Sequence, residues 1–179
     1  MILFEVLYLA LPAFAANMAP VIATRLDVLP FLAKPIDGGY LLNGKPLLGK
    51  NKMWRGVVAA IVASLIVVLI QYFIQAPVTH VTVVYESIWL ALTYGIWVGI
   101  LVMVGDALGS VIKRQCGFTS GQPLIPLDQI DYIVLFIVGT IPFLAWTPLS
   151  ASVLIGVTFF LNLAANAAAY AIGIKKTYW

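Results

Sequence analysis

Three carboxylates and two bases stand close together in the middle of this chain, and their spacing suits phosphate chemistry. Asp106, Ser110 and Lys113 follow one another at intervals of four and three, with Arg114 next. On a helix, that spacing puts Asp106, Ser110 and Lys113 on one face. Gly105 and Gly109 remove bulk beside them, and a phosphate approaching the backbone would use that room. Asp128 and Asp131 are three apart and share a face of a helix that starts near Pro126. Two carboxylates at one helix entrance, opposite a third at the previous helix's exit, can hold a divalent cation. Magnesium takes oxygen ligands and commonly shares them with substrate phosphates. Lysine and arginine nearby would neutralise the remaining phosphate charge.

Taken singly, these residues have plain explanations. The helix dipole alone favours acids at helix N-termini, and bases between membrane spans follow a topology rule. Their convergence on two adjacent helix ends is harder to explain that way. A second polar group lies upstream, where the turn Asp37-Gly38-Gly39 precedes Lys50, Lys52 and Arg55. It lacks the Gly-x-x-x-x-Gly-Lys-Ser/Thr spacing of a phosphate-binding P-loop. Such a basic cluster also suits contact with anionic lipid head groups. Folded over the central stretch, it would complete a polyphosphate cradle.

The elements that must position these groups are greasy. Of 179 residues, 63% are hydrophobic and only 9% charged, which marks an integral membrane protein. Five apolar runs, at about 2–23, 54–75, 85–104, 130–146 and 149–174, are long enough or nearly so to cross about 30 Å of hydrocarbon. In lipid a helix satisfies its own backbone, so even the β-branched run 57–70 reads as helix. The expected fold is an all-α integral membrane protein, a single polytopic domain over 1–179. Its polar segments fall at about 24–53 and 105–129. The fourth run is the shortest, and Pro142 predicts either a kink in it or support from neighbouring helices. Glu5 stands where a signal peptide would be basic, so the first run reads as a retained helix.

With five spans, every Lys and Arg falls on one side, including Lys175 and Lys176 in the tail. That side is expected to be cytoplasmic, with the N-terminus outside and the C-terminus inside. His80 and Glu86 fall on the other side. The single Cys116 excludes an internal disulfide, and one histidine makes no zinc site. Asn43-Gly44, between Tyr40-Leu41-Leu42 and Leu47-Leu48, predicts a hairpin in the first polar segment. Asn162 and Asn166 share a face of the last helix and suit hydrogen bonds between helices. Asn17 lies a turn before Pro20, toward the cytoplasmic end of the first helix. Trp54, Trp146 and Trp179 read as interfacial aromatics.

These motifs together strongly resemble archaeal CDP-archaeol synthase. The resemblance rests on the run from Gly105 to Arg114, then Gly121-Gln122-Pro123, then Leu127-Asp128-Gln129-Ile130-Asp131. In the first segment it rests on Lys34-Pro35-Ile36-Asp37-Gly38-Gly39 and the run from Gly49 to Gly56. The chain is also similar to the wider CTP:phosphatidate cytidylyltransferases, whose Ser-x-x-Lys-Arg is present as Ser110, Lys113 and Arg114. Gln129 stands where their later motif has arginine, and a Lys-Asp pair between the blocks is missing. The chain is also shorter than theirs, and the missing pair and the shorter length both favour the archaeal branch.

The resemblance implies transfer of CMP from CTP to 2,3-bis-O-(geranylgeranyl)-sn-glycerol 1-phosphate, with Mg2+ as cofactor. It implies catalytic roles for Asp106, Lys113, Arg114, Asp128 and Asp131, with Asp106, Asp128 and Asp131 holding the metal. Lys50, Lys52 and Arg55 would face phosphates beside Ser110. Asn17, Asp37, Gly38 and Gly39 would belong to the nucleotide pocket. Expected partners are CTP, the isoprenoid ether lipid phosphate and membrane lipids, with a homodimer open and no nucleic acid. The expected place is the cell membrane, with the site on its cytoplasmic face.

Other readings compete. A CDP-alcohol phosphotransferase would need Asp-Gly-x-x-Ala-Arg and a later Asp-x-x-x-Asp, and neither is here. A small cation transporter or channel would carry its acids near the bilayer midplane. A structural subunit with a charged face would tolerate Asp106→Asn.

Overall fold

Five helices carry the fold. The computed structural model describes residues 2–74 and 86–173. His80, the 76–84 loop, Lys175, Lys176 and Trp179 lie outside the described residues. The helices are α1 (Ile2–Arg25), α2 (Trp54–Ile74), α3 (Ile88–Gln115), α4 (Leu127–Thr140) and α5 (Pro148–Ala171). All except α4 are long and apolar enough to cross a membrane.

Two helices depart from the apolar runs that predict them. The third run ends at 104, but α3 continues to Gln115 and has 28 residues. At 1.5 Å per residue that is about 42 Å, roughly 12 Å more than the hydrocarbon core. Residues 105–115 are therefore helix rather than loop. Lys113 and Arg114 in the last turn suit the negative end of the dipole. The fourth run instead gives a short helix of 14 residues, about 21 Å, which begins at Leu127, next to Pro126 as its carboxylate spacing suggests, and stops well before 146. No kink forms at Pro142, because α4 ends at Thr140, before it. Pro142 has no N–H to carry the ladder on. The Thr140 hydroxyl donates back to the Phe136 carbonyl (2.7 Å) and accepts the Trp146 indole N–H (2.9 Å), closing that end.

Missing side chains let the helices approach. A Cβ on Gly99 would lie 2.6 Å from the Ile61 Cα, and one on Gly95 would lie 2.9 Å from the Leu65 Cα. These two positions face α2, four residues apart on one side of α3. Gln71 of α2 donates to the Tyr8 carbonyl of α1 at 2.6 Å, so a buried amide has a partner. Val98, Val102, Ile133 and Phe136 lie at the centre of the apolar core.

The expected hairpin is present. Strand β1 (Leu41–Leu42) pairs antiparallel with β2 (Lys45–Pro46), Leu41 opposite Pro46 and Leu42 opposite Lys45. Asn43 (φ 53°) and Gly44 (φ 74°) both take the left-handed backbone that a two-residue type I′ turn needs.

Candidate active site

The ends of α1 and α3 meet at one face, together with the starts of α2 and α4. The loop 26–53 and the loop 116–126 lie over them. Lys45 Nζ of the hairpin donates to the Gln115 carbonyl (2.6 Å), which ties the first loop to the end of α3. Between them is a cleft of about 540 Å³, lined by Asp37, Gly39, Lys45, Gly49, Lys50 and Arg114 among others.

Asp37 organises the roof of this cleft. Its two carboxylate oxygens accept the N–H groups of Gly39 and Leu48, each at 2.9 Å. Burial pushes this carboxyl up, but backbone N–H groups of Gly39, Leu48 and Gly49 outweigh it and hold the group below the usual range. The carboxylate thus ties the two ends of the hairpin together.

Arg114 supplies the buried charge. It is 6% exposed, and its guanidinium donates to the Phe118 carbonyl at 2.6 Å. Its Nε has no hydrogen-bond partner. Gly49 (φ +93°) stands opposite, and a Cβ there would lie 3.8 Å from that Nε. Arg114 lines the cleft, and its Nε is a buried donor next to the bare Gly49.

Two residues beyond Lys50, Lys52 reaches the carboxylates. It forms an ion pair with Asp106 on α3. Asp131 on α4 lies within electrostatic reach of Asp106, Lys52 and Asp128. Its carboxylate fills the space that a Cβ on Gly109 would occupy, and it accepts the Tyr132 N–H at 2.7 Å. One turn away, a Cβ on Gly105 would lie 2.7 Å from the Tyr132 Cα. The room beside Asp106 is therefore taken by α4, not left for a phosphate as the sequence suggests.

A family model described as CarS-like, CDP-archaeol synthase, matches residues 1–179. The chain belongs to the CDP-archaeol synthase family. It is 30% identical over 178 residues to the CDP-archaeol synthase of Thermococcus kodakarensis, covering 99% of this chain and 96% of that protein. It is 31% identical over 174 residues to that of Methanococcus aeolicus, covering 94% and 92%. A solved structure described as an intramembrane enzyme for archaeal membrane lipids biosynthesis superposes with a TM-score of 0.76 at 28% identity, covering 92% of this chain and 94% of that one. By family, then, the chain is a multi-helix membrane enzyme of lipid synthesis.

Several residues expected in a CDP-archaeol synthase site are gathered here, and others are engaged elsewhere. Asp37, Gly39, Lys50 and Arg114 line the cleft, while Lys52, Asp106 and Asp131 cluster beside it. Gly38 (φ 58°) makes the turn next to Asp37. Lys113 is 8% exposed and holds both Asp128 oxygens, at 2.9 and 2.6 Å, and Asp128 also accepts the Leu124 N–H at 2.9 Å. That pair fastens the second loop between α3 and α4. The Ser110 hydroxyl donates to the Asp106 carbonyl at 3.0 Å along its own helix. Arg55, 7% exposed, pairs with Asp27 at 2.9 Å. Asn17 is half-buried on α1, a turn before Pro20, which packs on Gly56.

Sequence reasoning missed Lys45, Gly49, Ser120 and Asp27. Lys45 follows the Asn-Gly turn, which was the available signal for it. Gly49 opens one of the resembling runs without a role being read for it, and Ser120 gave no signal, because their importance comes from facing Arg114 and one another across two loops. Asn162 was read as an interhelical hydrogen bonder. It accepts the Asn166 amide at 2.9 Å, one turn along its own helix.

The donor set suits a hard cation in part. Asp106 and Asp131 offer neighbouring carboxylates, already served by one positive charge on Lys52. Asp128 joins them only by releasing Lys113. Among the described residues, no three acids or histidines stand together as a finished metal site.

Proposed function

We propose that this member of the CDP-archaeol synthase family transfers CMP from CTP to 2,3-bis-O-(geranylgeranyl)-sn-glycerol 1-phosphate, giving unsaturated CDP-archaeol and pyrophosphate. The observation that carries this reading is the unpaired, buried Arg114 Nε, opposite Gly49 in a cleft that also presents Lys45 and Lys50. A buried donor without a partner is costly, and an anionic ligand would repay it.

An oxygen of the lipid phosphate attacks the α-phosphorus of CTP. The bond from that phosphorus to the α–β bridging oxygen breaks, and its electron pair leaves on pyrophosphate. The nucleophile is already an anion, so no strong base is required. The obstacles are repulsion between two anions and the charge that builds on the leaving group. Positioning and electrostatic stabilisation dominate such transfers. Arg114, Lys50 and Lys45 would hold the triphosphate over the cleft, with Gly38 and Gly39 in the turn beside it. Lys52 sits between this cleft and the carboxylates, placed to neutralise charge where the two substrates meet. Asp106 and Asp131 would hold Mg2+, with Asp128 as a further ligand. The ion would supply Lewis-acid stabilisation of phosphate oxygens.

The lipid chains stay in the bilayer, since drawing them into water costs about 0.8 kcal/mol per CH₂. The cleft opens to the cytoplasm in this account, because Arg25, Lys34, Lys45, Lys50, Lys52, Arg55, Lys113 and Arg114 all belong to its end of the bundle. Pyrophosphate release by the purified protein with CTP, magnesium and the lipid phosphate tests the reading. Release that needs both CTP and lipid, and is absent with ATP or GTP, is expected. Folded protein that releases none with any lipid phosphate would sink it.

A further inference from the structure

We propose that residues 26–32, together with Trp54, form an interfacial anchor that inserts into the lipid leaflet on the cleft side of the membrane. The stretch Leu26-Asp27-Val28-Leu29-Pro30-Phe31-Leu32 holds none of the cleft and packs little of itself away. Phe31 is 68% exposed and Leu26 69%, and the 3₁₀ turn Pro30–Leu32 buries no residue. Trp54, at the start of α2, is 47% exposed. An apolar group of this size facing water needs a cover.

The cover is identified by where the stretch begins. Leu26 N–H bonds the Ile22 carbonyl and Val28 N–H bonds the Ala23 carbonyl, each at 2.9 Å, so the chain folds back on the end of α1 rather than rising away from it. The helix it caps is long and apolar enough to span a membrane, and Val21 and Ile22 in its last turns are exposed like Leu26 and Phe31 beyond them. Arg25 and Lys34 flank the apolar residues, the pattern that suits a phospholipid head-group layer.

The backbone is fixed for this task. Asp27 (φ 49°) and Leu29 (φ 52°) both take the left-handed conformation that non-glycine residues rarely adopt. Such conformations persist where the surroundings hold them. Here Asp27 is held by Arg55 (2.9 Å). Beyond the stretch, the Trp54 N–H bonds the Lys34 carbonyl at 3.0 Å and the Ile36 N–H bonds the Lys52 carbonyl at 2.9 Å. The anchor is thus tied directly by Asp27, and through the residues that follow it by two backbone bonds, to the short segment that carries Lys52 to Asp106. Its depth in the leaflet sets the height of Lys52 relative to lipid phosphates.

The test uses the single cysteine. Cys116 is exposed at the end of α3, and a spin label there reports water. A second label goes on Phe31→Cys in a Cys116→Ser background, in proteoliposomes of neutral and anionic phospholipid. Collision with oxygen is expected to exceed collision with a water-soluble nickel chelate at position 31, and the reverse is expected at Cys116. Equal nickel access at both positions would overturn the proposal. Hydroxyl-radical footprinting of the unmodified chain in nanodiscs gives an independent readout without substitution. Protection of Phe31 that is lost in a loose detergent micelle supports the anchor, and full reactivity in the nanodisc refutes it.

Discussion

The Asp131 carboxylate rests against the bare Cα of Gly109, in the space that any side chain at 109 would need. This contact sets the distance between α3 and α4 and aims Asp131 at Asp106. Gly109→Ala should displace the carboxylate while leaving both helices intact. Misplacing a reacting constellation by about 1 Å can cost on the order of 10²-fold. We expect a fall in pyrophosphate release of roughly that size, with a small change in thermal midpoint. Gly156→Ala, where a Cβ meets open space, is the control and should leave the rate unchanged.

Lys52 and Asp106 neutralise one another at the edge of the cleft. Asp106→Asn keeps the size and removes the charge. In the proposed role it loses a preorganised electrostatic contact, worth about 10²–10³ in turnover. Lys52→Met should raise the KM for lipid phosphate or lower kcat while the protein stays folded. Wild-type kinetics from either variant would remove the pair from the mechanism.

Arg114 and Gly49 make a matched prediction. Arg114→Lys keeps a positive charge but loses the fixed fork and its inward Nε, so CTP should bind about tenfold or more weakly. Gly49→Ala forces a side chain into φ +93° and sets it 3.4 Å from the Ser120 Oγ. It should weaken CTP binding in the same direction, at a stability cost of about 1 kcal/mol or more. Calorimetric titration with CTP, in the presence of magnesium, measures both.

The α2–α3 crossing predicts a purely structural failure. A leucine at Gly99 would collide with the Ile61 backbone, from which even a Cβ would be 2.6 Å away. Overpacking of this kind costs about 1–3 kcal/mol or more. Gly99→Leu should lower the melting midpoint in detergent and reduce the yield of monodisperse protein, whatever ligand is added.

What the sequence revealed depended on how local the signal was. The hairpin was legible because Asn43-Gly44 meets the backbone demand of its turn by itself. The membrane helices were legible because lipid leaves no other backbone solution. The end of α3 was not, since an apolar run measures hydrocarbon thickness and not helix length. Asp106 to Arg114 continue the same helix beyond it. The faces of Asp106, Ser110 and Lys113 followed from spacing, but their partners did not. Lys113 is bonded to Asp128, Asp106 to Lys52, and Ser110 to its own backbone. The gaps at Gly105 and Gly109 were visible, yet only the packed molecule tells that α4 fills them.

The most direct measurement of the central claim follows two labels of CTP. Purified protein in lipid is given CTP carrying ³²P at either the α or the γ phosphate, with magnesium and the isoprenoid ether lipid phosphate. The account predicts that the α label moves into the chloroform-soluble lipid and that the γ label stays in water as pyrophosphate. A γ label in the lipid fraction, or an α label that remains in water, would contradict attack at the α-phosphorus and with it the cytidylyltransferase reading.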